Sequence, residues 1–232
     1  GIINASNFPS AVPFWTKIPA IMCGNTCVWK SPQDSPLLSF MLTRIMHEAG
    51  LPNGVVNLIH GKGSGAGQFL VDSVDEGLVN KISFTGSTPV GKMIGEICGR
   101  NLASCSLELG GKNPLVVMPS ANIENAVEGA YWAAFGTAGQ RCTSLGNLIL
   151  HKDIYEDFMQ KFMEKVKETK IGDSLRNDDV LYGSMISEKY ASDFLRDLGL
   201  CETDGATKLW GEGRITNENK PENFKGDASE GC

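Results

Sequence analysis

"LVNKISFTGSTPVGKMIGEICGR", Leu78 to Arg100, decides the fold. Leu78 to Gly86 reads as a short apolar strand closing on a tight glycine turn. Ser87 or Thr88 then starts a helix, with Pro89 inside its first turn, and the helical stretch runs to Arg100. Working outward, the same alternation repeats. "TCVWK" (Thr26–Lys30) is a buried strand, followed by a helix in "SPQDSPLLSFMLTRIMHEAGLP" that Ser35 caps, Pro36 opens and Gly50 closes. "GVVNLIHG" (Gly54–Gly61) is the next strand, and "GKGSGAG" (Gly61–Gly67) a glycine-rich loop. Beyond the opening stretch come strand-like "CSLELGG" and "NPLVVMP", then a helix in "SANIENAVEGAYWAAF" capped from Ser120. "NLILH" (Asn147–His151) is a strand, and "KDIYEDFMQKFMEKVKETK" an amphipathic helix with Ile154, Phe158, Phe162 and Val166 four apart. Strands and helices alternating at this spacing predict an α/β protein built on a parallel sheet with both faces covered. A new unit is expected near "LGGKNP", where glycines and a proline interrupt the rhythm. "SNFPSAVPFW" reads as a proline-bearing turn, and the polar tail from about Leu198 as long loops holding a strand or two.

The composition narrows the function classes. The chain of 232 residues, 41% hydrophobic and 21% charged, has the make-up of an ordinary globular protein. Its net charge of −6 and the lack of a basic stripe argue against nucleic acid as a partner, and no apolar run has the length of a membrane span. Seven cysteines without framework spacing point to a reducing compartment, cytoplasmic or similar, such as the mitochondrial matrix. Cys23 and Cys27, with only three histidines in the chain, make a poor zinc site, so no metal is expected. The opening "GIINASNFP" reads as a strand already under way, and the polar ending "KGDASEGC" closes no element. Both lead to the expectation of a fragment.

Several residues invite chemistry. "GKGSGA" satisfies a dinucleotide-binding glycine pattern, but no acid ends the following strand, so a surface turn is the better reading. In "FTGSTPVG" (Phe84–Gly91), Ser87 and the first-turn amides either cap a helix or receive phosphate oxygens. Glu108, between two leucines, is either ion-paired or, in a dry cleft, a general base with a raised pKa. Asn7 forms an Asx turn or offers its carboxamide to an oxyanion, and Lys30 is a solvated strand end or a donor to a ribose. In "FGTAGQRCTS" (Phe135–Ser144), Cys142 follows two glycines and stands beside Arg141, which could lower the thiol pKa. From the residues alone it remains either a packed thiol or a reactive one.

Taken in order, "NFP" (Asn7–Pro9), "CGNTCVWK" (Cys23–Lys30), "AGLPNGVVNLIHG" (Ala49–Gly61), "FTGSTPVG", "LELGGKNP" and "GTAGQRCTS" make the chain resemble the aldehyde dehydrogenase superfamily over nearly its whole length. The resemblance implies a Rossmann-like parallel sheet followed by part of a second α/β domain. Residues 1–108 would be a partial NAD(P)-binding domain and 109–232 a partial catalytic, thiol-bearing domain. It implies Cys142 as nucleophile, Asn7 as oxyanion donor together with the Cys142 amide, and Glu108 as activator of the deacylating water. Lys30 would bind the adenine ribose, while Phe84, Gly86, Ser87 and Val90 would line the cofactor beside its pyrophosphate. The implied reaction oxidises an aldehyde or semialdehyde to its acid with NAD or NADP, through a thiohemiacetal and a thioester. A homodimer or homotetramer is implied for the whole protein.

Ser6 stands where many members have tryptophan, and Gln33 where many NAD-preferring members have glutamate, which leaves NAD against NADP open. The later segment that helps hold the nicotinamide ribose is not in the chain, so the piece alone is expected to be a poor enzyme. The competing readings are a non-hydrolytic acylating relative, against which Glu108 argues, and a binding or structural module that keeps the fold.

Overall fold

Ile2–Ile3 is the shortest strand of the molecule and the centre of its larger sheet. In the computed structural model, which describes residues 1–211 and 213–228, the chain divides into two compact units, Gly1–Gly111 and Lys112–Cys232. The first unit holds β1 (Ile2–Ile3), β2 (Cys27–Lys30), β3 (Val56–Ile59), β4 (Lys81–Gly86) and β5 (Ser104–Leu109), all parallel, in the order β3-β2-β1-β4-β5. The helices are α1 (Ala11–Met22), α2 (Pro36–Glu48), α3 (Gln68–Asp72) and α4 (Thr88–Arg100). Successive residues of a strand face opposite sides. Ile2 accordingly packs with Cys27, Trp29 and Val56 beneath Ile21 of α1 and Leu42 of α2. Ile3 packs with Ile82 and Phe84 beneath Val71 of α3 and Ile94 and Cys98 of α4. Covered faces are what an all-parallel sheet requires.

The second unit pairs β6 (Asn113–Val117) with β7 (Leu145–Leu150) in parallel, joined by α5 (Ile123–Phe135), followed by α6 (Tyr155–Lys167) and α7 (Glu188–Thr203). Its core is Val117, Val127, Ala130, Phe158, Phe162 and Val166. Phe158 and Phe162 are thus buried, as the four-residue spacing predicts, with ring centroids 5.9 Å apart. Lys161 bonds Glu124 at 2.9 Å between α6 and α5, a solvent-screened pair that adds little beside the apolar core.

Four local readings are corrected. "SNFPSAVPFW" leads into α1 rather than forming a turn alone. Pro13 sits in the first turn, where its missing N–H costs nothing, and Pro19 lies near the carboxyl end. "GSGAG" (Gly63–Gly67) coils into a wide helical turn that runs straight into α3. The cap of α5 is Asn122, whose Oδ1 accepts the Asn125 amide at 2.9 Å, because Ser120 is held in a preceding turn closed by Ala121 N–H to the Met118 carbonyl. The stretch reaching past Leu198 is helical to Thr203, and beyond it the described residues contribute only an isolated bridge, Gly172 with Lys225.

Lys17 is an unexpected component of the first core. It is fully buried, its Nζ lies 3.1 Å from the centroid of the Trp29 ring and 4.7 Å from that of Phe14, and among the described residues it finds no hydrogen-bond partner. Burial lowers its pKa to about 7, opposed by the neighbouring Cys27, while the ring faces favour the cation. The unfolded lysine keeps its proton to its usual value near 10.5. Above pH 7 the unfolded state therefore binds more protons, and stability rises with pH, by up to about 1.4 kcal/mol per pH unit. Chemical denaturation between pH 7 and 8.5 should show this rise, and Lys17→Met should flatten it. Subtracting the two curves removes the contribution of Gly1, and repeating the comparison in a Cys27→Ala background removes that of Cys27, whose thiol burial pushes up. Identical slopes would show that the ammonium is not forced to release its proton.

Candidate functional site

Because the five strands are parallel, their carboxyl ends share one edge. Ile3 stands opposite both Lys30 and Phe84, while Thr85 pairs with Glu108 and Gly86 with Leu109. The chain leaves β1 toward β2 on one side, and later returns to β4 on the other. The carboxyl edge at this reversal is where open α/β sheets bind ligands. Lys30 ends β2, Phe84 and Gly86 end β4, Ser87 follows at the cap of α4, and Glu108 is the penultimate residue of β5.

The β4–α4 turn is shaped for an anion. Ser87 is the extended cap residue of a helix of 13 residues, and its side chain makes no capping bond. Its carbonyl accepts the Gly91 amide at 3.0 Å, so the Thr88 and Val90 amides precede the first intrahelical donor, and Pro89 has none. Those amides and the positive end of the helix dipole suit a phosphate group. Two glycines allow close packing here. A Cβ on Gly86 would approach the Phe84 ring to 2.5 Å, and one on Gly91 would come as near to Leu109 Cδ2, so α4 lies close against β5. Phe84 itself is buried in the core, whereas Val90 is exposed on the first turn of the helix.

Lys30 is buried, and burial lowers its pKa against the opposing pull of Asp34. Beside it, the Ser31 hydroxyl lies 2.8 Å from His60 Nδ1, tying the end of β2 to the end of β3. Asn7 is exposed, in the bend between β1 and α1. Glu108 is also exposed rather than set in a dry cleft. It shares a face of β5 with Ser104 and Ser106, while Cys105, Leu107 and Leu109 turn to the core.

Cys142 belongs to the second unit, and its residue is exposed. After α5 the chain makes a tight turn, Gly136–Gly139, in which Thr137 (φ 59°) and Ala138 (φ 56°) are left-handed as well as Gly139 (φ 67°). Left-handed non-glycine residues cost about 1–2 kcal/mol each. A Cβ on Gly136 would displace the Arg141 guanidinium and crowd the Trp132 ring. Arg141 donates to the Trp132 carbonyl at 3.2 Å and stacks 5.3 Å from the centre of its ring, so its charge is directed to α5. A second turn, Arg141–Ser144, is closed by the Ser144 amide donating to the Arg141 carbonyl at 3.1 Å. Asn113 Nδ2 donates to the carbonyls of Cys142 at 2.7 Å and Ser144 at 2.9 Å. Sequence reasoning quoted Asn113 only as part of a landmark. Its bonds bridge 29 and 31 residues, and nothing local marks them.

Among the described residues there is no group of three or more histidine, cysteine or acidic side chains placed to hold a metal, and no helix long and apolar enough to cross a membrane. Comparison with known proteins matches residues 1–226 to the model of the aldehyde dehydrogenase family. An alpha-ketoglutaric semialdehyde dehydrogenase of Bacillus subtilis is 38% identical over 94% of this chain and 44% of its own length. A phenylacetaldehyde dehydrogenase of Pseudomonas fluorescens is 40% identical over 88% of this chain and 40% of its own. Among solved structures, PnpE in complex with nicotinamide adenine dinucleotide superposes with a TM-score of 0.86 at 38% identity, covering 93% of this chain and 43% of that one. Betaine aldehyde dehydrogenase from Staphylococcus aureus, in complex with NAD+, gives 0.88 at 30% identity, over 99% and 43%. The chain thus spans less than half the length of these relatives. Nearly all of it is matched, in sequence and in fold, and it belongs to the aldehyde dehydrogenase family.

Proposed function

We propose that the protein carrying this chain oxidises an aldehyde or semialdehyde to its carboxylic acid with NAD or NADP. In this reading the first unit binds the cofactor and the second supplies the thiol. The carboxyl edge of the five-stranded sheet carries the argument. It gathers a buried lysine, a glycine–serine turn at a helix N-terminus and a carboxylate on three strand ends beside the reversal of strand order. These groups fit a dinucleotide. The Thr88 and Val90 amides would receive pyrophosphate oxygens, and Lys30 would donate to a ribose hydroxyl. Gly86 and Phe84 would shape the approach, with Val90 beside it. When bound, the cofactor supplies a hydride acceptor.

The chain's own residues supply the rest. The Cys142 thiolate adds to the aldehyde carbon, which splits a difficult oxidation into acylation and deacylation. The carbonyl oxygen, now an alkoxide, is stabilised by the Cys142 amide and the Asn7 carboxamide. Losing one such donor costs about 3 kcal/mol of transition-state stabilisation in comparable sites. Once hydride has left the tetrahedral carbon, a thioester remains on Cys142. Glu108, exposed to water on its strand end, takes a proton from the water that attacks it, releasing the acid and returning the thiol.

Two substitutions in the whole enzyme test the assignment. Cys142→Ser should abolish NAD(P) reduction with an aldehyde panel, by at least about a thousandfold, while cofactor binding persists. Retained turnover would remove Cys142 from the chemistry. Glu108→Gln should leave a burst of reduced cofactor close to one equivalent per active site, followed by a stalled thioester that mass spectrometry detects on the Cys142 peptide. A steady rate equal to the unsubstituted enzyme would instead favour a non-hydrolytic acylating reaction.

A further inference from the structure

We infer that Asn113 is a positioning residue for Cys142, its carboxamide clamping the thiol-bearing turn to the start of β6. The inference rests on the reading of Cys142 as the nucleophile. A carboxamide nitrogen has two N–H groups, and here both are used, on the carbonyls of Cys142 at 2.7 Å and Ser144 at 2.9 Å. Along its own backbone the turn is closed by the Ser144 amide donating to the Arg141 carbonyl. Asn113 adds two hydrogen bonds to that one, from outside the turn.

The surrounding ladder is built around this clamp. Asn113 pairs with Leu145, but Pro114 pairs with Asn147, so Gly146 is the extra residue of a bulge. A bulge re-aims the chain locally, and such irregularities concentrate beside functional sites. Only glycine fits there, because a Cβ on Gly146 would approach Lys112 Cα to 2.7 Å. Pro114 brings no amide to the ladder, and a second carboxamide closes the gap, Asn147 Nδ2 donating to the Lys112 carbonyl at 3.1 Å. Two side-chain amides thus take over where backbone pairing fails.

The clamp has a chemical consequence. Fixing the direction of the Cys142 carbonyl fixes ψ at Cys142, and with it the direction of the Cα–Cβ bond relative to β6. The turn upstream is left-handed at three successive residues and holds no regular ladder. Misplacing a reacting group by about 1 Å costs on the order of a hundredfold in rate. Intrinsic reactivity of an exposed thiol toward a small alkylating agent depends on ionisation and access, and needs no such aim.

Asn113→Ala and the isosteric Asn113→Asp, which lacks both donors, test this in two measurements. In the 232-residue chain, hydrogen exchange of the Ser144 amide should accelerate at least tenfold in both variants, with the β7 amides of Ile149 and Leu150 unchanged. In the whole enzyme, kcat should fall about ten- to a hundredfold with both KM values within threefold, while iodoacetamide alkylates Cys142 within twofold of the unsubstituted rate. Unchanged Ser144 exchange in both variants overturns the clamp. A kcat within threefold, or a loss matched by lost protection across β7, overturns the positioning role. Should the unsubstituted enzyme reduce no NAD(P) with any aldehyde, the dehydrogenase reading falls separately, and the clamp stands or falls on the Ser144 exchange.

Discussion

Parallel pairing of Ile2–Ile3 on both sides is the constraint on which the first unit rests. Two residues must supply backbone partners to β2 and to β4, and two side chains must seed both layers of the core. Parallel neighbours cannot be joined by hairpins, so every strand has to return through a crossover. With crossovers of one hand, helices reached to one side of β1 cover one face, and those reached to the other side cover the opposite face. The two sets separate at the carboxyl end of β1. The place where Lys30 and the Gly86–Ser87 turn flank that end therefore follows from topology before any side chain is considered. Gly1 strengthens the same joint, its carbonyl accepting the Ser83 amide at 2.9 Å.

Alternation of strands and helices was legible in the sequence because the signals that set it are local. Pro36 at a first turn and Phe158 and Phe162 four apart each act within one or two turns of chain. The misses share a different cause. α1 was hidden by Pro13 and Pro19, which oppose a helix by propensity, yet the first falls where no amide is needed, and Val12 anchors the segment in the core. Lys17 reads as a surface residue, and only the arrival of Trp29 from β2 gives its ammonium a face to rest on. The cap of α5 shifted from Ser120 to Asn122 through a turn whose geometry the residue types do not determine.

The candidate site residues divide along the same line. Ser87 and Gly86 were readable because strand end, glycine and helix start are contiguous. Glu108 was readable as an oddity, a carboxylate among leucines, but its face was decided by strand register. Alternation sends Leu107 and Leu109 inward and leaves Glu108 in water. The role proposed for Cys142 came from resemblance, since its immediate neighbours do not by themselves decide it. Arg141 lies next to the thiol in sequence and directs its guanidinium to the Trp132 carbonyl and ring.

The thiol turn shows how local cost and long-range support divide the work. "GTAG" places glycines where left-handed backbone is inexpensive, yet Thr137 and Ala138 adopt it too, while Gly136 is used for close packing instead. Such strain persists only where neighbouring contacts determine the conformation more strongly than local preference does. On the upstream side that support comes from Arg141 pinned to Trp132. Downstream it comes from Asn113 on the ladder of β6 and β7. A loop held from both flanks by groups anchored on a helix and a strand can keep a thiol exposed without leaving it free to wander, which an unanchored loop does not achieve.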